Sequence, residues 1–120
     1  MNIGKIGTKG EDMVARFVQS KGYTVVKRNY QCRYGEIDII AEKEGIIAFV
    51  EVKTRKADSL VPIEFAVDSH KQKRLLSTAQ EYLSKTDCEL QPRFDVALVT
   101  VTPNPQSGSG YSLKYIENAF

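Results

Sequence analysis

Two β-rich runs, Gly35–Ala41 and Ile46–Lys53, constrain the fold of this chain more than any other stretch. Both runs are rich in Ile and Val, which favour strands, and Glu44-Gly45 between them is typical of a tight hairpin turn. We therefore expect a β-hairpin at this point, and the rest of the chain to be organised around it.

The register of this hairpin follows from the two-residue turn. Lys43 faces Ile46, and counting outward sets Asp38 opposite Glu51. Because side chains alternate across a strand, one face is predicted to be wholly apolar. That face carries Ile37, Ile39, Ala41, Ile46, Ala48, Val50 and Val52. The other face carries Ile40, Ile47 and Phe49 near the turn, then Glu36, Asp38, Glu51 and Lys53 at the open end.

The charged end of the hairpin needs a physical explanation. Cross-strand Cβ atoms lie about 5 Å apart, so Asp38 and Glu51 would repel each other. Two such carboxylates must share a proton, pair with cations or hold a metal ion. Carboxylate oxygens suit Mg²⁺, which retains waters and meets phosphate through its open positions. Lys53 points to the same side, where it could orient or deprotonate an attacking water or contact a phosphate oxygen.

At these residues the chain resembles known families. Asp38 followed by Glu51-Val52-Lys53 resembles the acid…acid-x-Lys signature of the PD-(D/E)xK nucleases. The wider pattern is similar to the YraN-like family of small bacterial proteins, itself similar in pattern to archaeal Holliday junction resolvases. Its motifs here are Gly7-Thr8-Lys9-Gly10-Glu11, Gly35-Glu36-Ile37-Asp38, Phe49-Val50-Glu51-Val52-Lys53-Thr54-Arg55 and Asn118-Ala119-Phe120.

This resemblance implies a restriction-endonuclease-like fold and a divalent-metal-dependent DNA endonuclease, with branched DNA as one substrate class. It implies that Asp38, Glu51 and the Val52 backbone carbonyl bind Mg²⁺ or Mn²⁺, with Glu11 as a further ligand. Lys53 would orient the attacking water, so that Glu11, Asp38, Glu51 and Lys53 form the catalytic set. By analogy with the resolvases, the protein would act on DNA as a homodimer.

Two departures from the pattern concern the substrate more than the fold. Ile37 stands where the name of the motif has proline. The Gln-x-x-x-Tyr element of some nuclease branches is absent, since Leu76 follows Gln72 at that spacing. An alternative function is a non-catalytic nucleic-acid-binding or assembly module, because fold does not determine function. A simple surface ladder of salt bridges is a further alternative for the charged residues.

The remaining pattern predicts the element order α-β-β-β-α-β-β in one domain spanning residues 1–120, with a mixed five-stranded sheet flanked by helices. Outside the hairpin, the predicted helices are Thr8–Lys21, stopped by Gly22, and a helix capped by Asp68 or Ser69 that ends near Ser84. The predicted strands are Tyr23–Tyr30, Arg93–Val101 and Tyr111–Ile116, and Thr102–Gly110 is expected to be a flexible loop.

Three positions carry more specific expectations. Glu11 lies at the edge of the apolar stripe of the first helix, which fits either a helix-dipole interaction or a contribution to the metal site. In the second helix, Leu75, Leu76, Ala79, Tyr82 and Leu83 form the expected buried stripe, and Gln72 shares it. Asp95 is expected to pair with a basic side chain near the start of its strand.

Several basic and polar residues are predicted to contact nucleic acid, although an ordinary solvated surface is the alternative for each. They are Lys9, Arg33, Arg55, Lys71, Gln72, Lys73 and Arg74. Arg55 belongs to the polar stretch Thr54–Pro62, which we expect to form a loop beside the acids.

Composition limits the remaining function classes. A formal charge of +2 means that any DNA-binding surface must come from local clustering of basic residues. No apolar run reaches the ~18 residues of a membrane span, and no signal peptide opens the sequence. We therefore expect a cytoplasmic protein in which Cys32 and Cys88 are free thiols.

Overall fold

The computed structural model describes residues 3–57, 68–104 and 108–120, without the side chains of residues 3–8, 103–104 and 108–109. In these described residues, two helices and five strands follow one another. They are α1 (Ile3–Ser20), β1 (Thr24–Cys32), β2 (Gly35–Lys43), β3 (Ile46–Lys56), α2 (Ser69–Thr86), β4 (Gln91–Asn104) and β5 (Gly108–Ile116). The predicted order of elements is confirmed.

The strands form one mixed sheet in the spatial order β1-β2-β3-β4-β5. Neighbouring strands are antiparallel except β3 and β4, which run parallel from Ile46↔Gln91 to Lys56↔Val101. A parallel pair needs a crossover connection, and the segment containing α2 connects β3 to β4. The α/β class with a mixed five-stranded sheet is therefore confirmed.

The turn between β2 and β3 has the predicted length and register. Glu44 and Gly45 both have positive φ, 47° and 83°, as a two-residue hairpin turn of type I′ requires. The paired register runs from Lys43↔Ile46 to Ile39↔Val50. Asp38 and Glu51 are the next residues outward, just beyond the last pair.

The sheet has an apolar core on each face. One core packs against α1 and consists of Val14, Ala15, Val18, Ile39, Ala41, Ala48, Val50, Ala97 and Val99. The other packs against α2 and consists of Tyr30, Ile37, Ile40, Ile47, Phe49, Leu75, Ala79, Val96 and Leu98. Burial on both faces explains why the central strands read as nearly continuous apolar runs.

Ile37 corrects the predicted sorting of the hairpin faces. It lies in the α2-side core, whereas Ile39 lies in the α1-side core, so the two residues do not share a face. The pairing of β1 with β2 passes from Arg28↔Ile39 to Tyr30↔Ile37, and Asn29 between them has a φ of 52°. The backbone thus departs from simple alternation where Asp38 lies.

Three of the four helix ends follow the predicted signals, whereas α1 begins at Ile3, five residues before the predicted Thr8. The Asp68 side chain accepts a hydrogen bond from the Lys71 backbone N–H and caps α2, as expected. Gly22, with a φ of 95°, follows the end of α1. The prediction that Leu76 is buried is wrong, because this residue is 47% exposed. Thr78, which the apolar pattern passed over, is fully buried and donates its hydroxyl to the Arg74 carbonyl.

Two predicted loops are partly strand. Residues Thr54–Lys56 continue β3 and pair with Val99–Val101 of β4, so Arg55 does not lie in a loop. Residues 58–62 of that predicted loop lie outside the described residues. Likewise, β4 and β5 pair as far as Asn104↔Gly108, within the stretch predicted as a flexible loop. Backbone pairing extends both strands beyond the point where apolar alternation stops.

Asp95 forms a buried polar cluster on the α1 face. Its carboxylate is fully buried and accepts hydrogen bonds from Arg93 Nε at 2.9 Å and Nη2 at 2.8 Å. The Tyr115 hydroxyl donates at 2.6 Å and the Asn118 backbone N–H at 3.0 Å. The expected pairing of Asp95 with a basic side chain is confirmed.

In the part of the chain that the structure describes, neither helix is both long and apolar enough to cross a membrane.

Candidate active site

Asp38 and Glu51 are brought together where the β2–β3 ladder ends. Asp38 Oδ2 accepts a hydrogen bond from the Val52 backbone N–H at 2.8 Å, across the strands. Its carboxyl group lies close to that of Glu51, which is only 6% exposed, and the negative charge of Glu51 acts on it. Two carboxylates in such proximity repel each other unless a proton or a cation reduces their charge.

The pKa of Asp38 reflects this crowding. Burial, the larger cause, and the negative charge of Glu51 together raise its pKa to about 7, whereas the Val52 N–H acts in the opposite direction. Near neutral pH, Asp38 is therefore only partly ionised. A divalent cation would relieve the same repulsion that the proton relieves.

Two lysines approach these acids. Lys71 Nζ, from the first turn of α2, lies 3.3 Å from Glu51 Oε1. Lys53 lies beside Lys71, and its pKa is lowered by burial and by its contact with that second ammonium group. Burial alone would lower the pKa of Lys71, but its contacts with Lys53 and Glu51 raise it. The site thus combines a charged Lys71 with a Lys53 that loses its proton more readily.

Glu11 faces the same region from α1. It lies 3.5 Å from Arg28 Nη2, and Arg28 also pairs with Asp12 at 2.8 Å. The pKa of Glu11 is raised by burial and by the charge of Asp38, so the two carboxylates influence each other. The helix-dipole interpretation of Glu11 is wrong, because α1 begins at Ile3 and has no acidic residue in its first turn. Glu11 lies near Asp38 and is also paired with Arg28.

The donor set suits a hard divalent cation. Asp38 keeps its second carboxyl oxygen, and Glu51 contributes another carboxylate next to it. One or two carboxylates are the usual protein ligands of Mg²⁺, which retains waters at its other positions. Within residues 3–57, 68–104 and 108–120, no three His, Cys, Asp or Glu side chains converge on a common metal position. The acids nearest to the pair are Glu36, which lines the same cleft, and Glu11 on α1, whose pKa is raised by the charge of Asp38.

An open cleft of about 520 Å³ leads to the acids. We call it the acidic cleft. Its lining residues are Cys32, Arg33, Tyr34, Gly35, Glu36, Asp38, Glu51, Lys71, Arg74 and Leu75. The β1–β2 turn forms one wall and the first two turns of α2 form the other.

A profile of the uncharacterised protein family UPF0102 matches residues 10–99. The chain belongs to the UPF0102 family.

Several relatives match over nearly their whole length. The UPF0102 protein of Dictyoglomus turgidum is 39% identical, with 100% of both chains covered. That of Caldanaerobacter subterraneus subsp. tengcongensis is 37% identical over 100% of this chain and 98% of the relative. That of Alkaliphilus metalliredigens is 42% identical over 96% of each. The resemblance to YraN-like proteins is thereby confirmed, and UPF0102 is a PD-(D/E)xK nuclease-like family.

The matched UPF0102 segment includes all four predicted catalytic residues, which the structure brings to one end of the sheet. The predicted nucleic-acid-binding residues are more dispersed. Arg33, Lys71 and Arg74 line the acidic cleft. Lys9 lies outside it, in a separate depression bounded by α1 and Tyr111.

The other three predicted DNA-binding positions lie on β3 and α2. Arg55 is two residues beyond Lys53 on β3 and is partly buried. Gln72 is also partly buried, and both residues interact with neighbouring groups. Lys73 is exposed on α2 and does not line the cleft.

One feature of the cleft was missed by sequence reasoning. The sequence placed Lys71 in a surface cluster, whereas the structure pairs it with buried Glu51. Lys71 lies in the first turn of α2, three residues after the Asp68 cap, and its contact with Glu51 depends on where that turn crosses the sheet.

Proposed function

We propose that this UPF0102 protein is a divalent-metal-dependent endonuclease that hydrolyses phosphodiester bonds in DNA. The observation that carries the proposal is the meeting of two carboxylates, Asp38 and Glu51, where the β2–β3 ladder ends and the Val52 N–H donates a hydrogen bond to Asp38. Holding two carboxylates together against their repulsion lowers the stability of the fold. Groups in such an environment are therefore candidates for a functional site.

The ligands would come from the two hairpin strands. Asp38 and Glu51 would hold Mg²⁺ or Mn²⁺ through carboxylate oxygens. Because the N–H and C=O of one residue in a strand point to the same side, the Val52 carbonyl would face the acids as its N–H does. A bound divalent cation supplies Lewis-acid stabilisation of a phosphoryl oxygen and lowers the pKa of a water.

The two lysines would have different tasks in hydrolysis. The lowered pKa of Lys53 suits it to accept a proton from the attacking water and to orient that water. Lys71 stays charged and would contact a non-bridging oxygen of the phosphodiester, where negative charge develops. Glu11, beside Asp38, would support the cation directly or through a water.

DNA is the proposed substrate because basic side chains line the acidic cleft. Arg33 and Arg74 lie on its opposite walls, where phosphates on either side of the cut bond would pass. A branched, Holliday-junction-like DNA is the finer proposal, and paired cuts in such a substrate would require a homodimer. Work on DNA would put the protein in the bacterial cytoplasm.

The test is a cleavage screen with the full chain. End-labelled branched, flapped, single-stranded and duplex DNAs are incubated with Mg²⁺ or Mn²⁺. We expect metal-dependent cleavage of at least one substrate, and Lys53→Ala or Asp38→Asn to slow it at least about 100-fold. Wild-type protein that cuts none of the substrates, or variants that cut as fast as wild type, would overturn the proposal.

Two control variants test whether a loss of cleavage is specific to the acidic cleft or follows from any change in the charge of the protein. Lys114→Ala removes an exposed lysine from β5, and Glu44→Gln neutralises an exposed acid at the far end of the same hairpin. Both variants should cleave as wild type does. Thermal melting of each variant shows whether the fold is intact.

A non-catalytic nucleic-acid-binding or assembly module is the second candidate. One observation favours it: Glu51 already has a cation partner, because Lys71 lies 3.3 Å away. Calorimetric titration with Mg²⁺ and Mn²⁺ discriminates the two. Neither binding heat nor a shift in melting temperature at saturating cation, together with DNA binding that survives in EDTA, would support the module and end the nuclease proposal.

A further inference from the structure

The β1–β2 turn presents an aromatic ring next to the acids. Tyr34 is 39% exposed, whereas most of the aromatic rings in the described part of the chain pack into the cores. The Arg33 guanidinium carbon lies 4.8 Å from the centroid of the Tyr34 ring, and Arg33 Nη2 donates a hydrogen bond to the Tyr34 hydroxyl at 2.7 Å. Ring and guanidinium therefore form one unit, which we call the Arg33–Tyr34 platform.

The Arg33–Tyr34 platform stands between two depressions. On one side it lines the acidic cleft with Asp38 and Glu51. On the other it lines an open groove of about 560 Å³ along α2, which we call the α2 groove. The remaining residues of that groove are Ser77, Gln80, Glu81, Ser84 and Lys85.

An exposed ring backed by a cation is suited to stack against a nucleobase. Every base has a π-face, and base–aromatic stacking with an additional arginine contact is a common means of binding single strands. Bases inside a duplex are covered by their neighbours, so a ring can stack on a base only where that base is unpaired or flipped out.

We propose that the Arg33–Tyr34 platform stacks an unpaired base and thereby directs a neighbouring phosphate to the acidic cleft, so that the substrate is DNA with unpaired nucleotides next to the cut. The cleavage half of this inference rests on the proposed endonuclease function. The binding half does not, because it requires the platform alone.

The α2 groove offers the bound DNA strand a path beyond the Arg33–Tyr34 platform. Ser77, Gln80 and Ser84 offer hydroxyl and amide groups for the sugar–phosphate backbone, and Lys85 offers a charge. Glu81 lies in the same groove and disfavours a phosphate beside it, although the nearby Arg33 guanidinium offsets part of that charge. The strand would therefore run from the acids, over the platform and into the groove, a path of only a few nucleotides.

The binding test uses a fluorescent base analogue and no metal. The full chain in EDTA is titrated into DNA that carries a single unpaired 2-aminopurine, and into the fully paired equivalent. We expect quenching of the unpaired probe, tighter binding than to the paired DNA, and affinity at least about fivefold lower in Tyr34→Ala. Tyr34→Phe keeps the ring and should keep most of the affinity.

Tyr111→Ala is the matched control. Tyr111 is equally exposed, at 41%, but lies on β5 and away from the acidic cleft. It should bind the unpaired probe as wild type does. Tyr34→Ala that binds the unpaired probe as tightly as wild type would overturn the inference.

Cleavage rates separate this inference from the proposed function. Metal-dependent cutting of a gapped or bulged DNA that exceeds cutting of the paired duplex supports both. Equal cutting of gapped and paired DNA overturns the platform and leaves the endonuclease standing. Tyr34-dependent quenching without any cleavage supports the platform as a binding site and counts against the endonuclease.

Discussion

The two faces of the sheet hold buried carboxylates in opposite circumstances. On the α1 face, Asp95 accepts four hydrogen bonds, two of them from Arg93. On the α2 side, the open end of the hairpin holds Asp38 with one backbone N–H donor and a second acid for a neighbour. Both residues are acids on strands, but only Asp95 has hydrogen-bond donors for both of its carboxylate oxygens.

The difference separates structural acids from acids available for chemistry. A buried carboxylate that is fully hydrogen-bonded and paired with arginine holds its surroundings together and has no capacity left for a ligand. Two carboxylates that repel each other are held together at a cost, which a bound cation would remove. The comparison therefore gives measurable differences in stability, pH dependence and cation binding.

Breaking the Asp95 cluster should have the largest effect on stability. Asp95→Ala leaves Arg93 without its buried partner, together with the donors of Tyr115 and Asn118, so the free energy of unfolding should fall by about 3–5 kcal/mol. Urea unfolding followed by circular dichroism measures this. Glu51→Gln, at the other carboxylate site, should cost far less. If Glu51→Gln is as destabilising as Asp95→Ala, the two sites do not differ in the way proposed.

The second-largest expected effect is on the pH dependence of stability, which should distinguish Asp38 from Asp95. Its pKa in the folded protein is about 7, above the ordinary 3.8, so its contribution to stability is full below about pH 4 and is lost as the pH rises to about 7. Because Asp38 is partly exposed to solvent, we expect this loss to be about 1–2 kcal/mol.

Asp38→Asn cannot ionise and should lack that loss, which unfolding curves between about pH 4 and pH 8 would reveal. Glu44→Gln, at the exposed turn, should keep the pH dependence of wild type. Identical pH dependence in wild type and Asp38→Asn would mean that Asp38 is not crowded as described.

Removing Lys71 should have the smallest effect on stability and the clearest effect on cation binding. Lys71→Met leaves Glu51 without its ion pair, but the pair is partly exposed, so we expect a loss of about 1 kcal/mol. With the competing ammonium gone, Mg²⁺ and Mn²⁺ should bind more tightly by calorimetry. Lys73→Met, on the exposed side of the same helix, is the control. Unchanged or weaker cation binding in Lys71→Met would show that Lys71 does not compete for Glu51.

The local elements could be predicted from the sequence because their signals are local. The Glu44-Gly45 turn, the Asp68 cap and the alternation of β3 each depend on neighbouring residues. Periodicity failed where backbone pairing decides the structure, as at Arg55, which continues β3. It also failed for Leu76, because a helical stripe only partly covered by the sheet leaves its edge exposed.

Part of the candidate site could also be predicted from the sequence, because its signals are local. Asp38, Glu51 and Lys53 follow from hairpin register and strand alternation. The contact of Lys71 with Glu51 depends on where α2 crosses the sheet, which no local pattern specifies. The reversal at Ile37 occurs beside Asn29 of β1, whose positive φ no pattern within β2 marks.

The parallel pairing of β3 with β4 has a consequence for how the protein folds. The hairpin that carries both acids closes through contacts between residues near in sequence, whereas β4 can pair only after the whole α2 segment has been traversed. Local contacts form faster than distant ones. Asp38 and Glu51 should therefore meet before Lys71 arrives, and the acids spend the early part of folding without the lysine that later accompanies them.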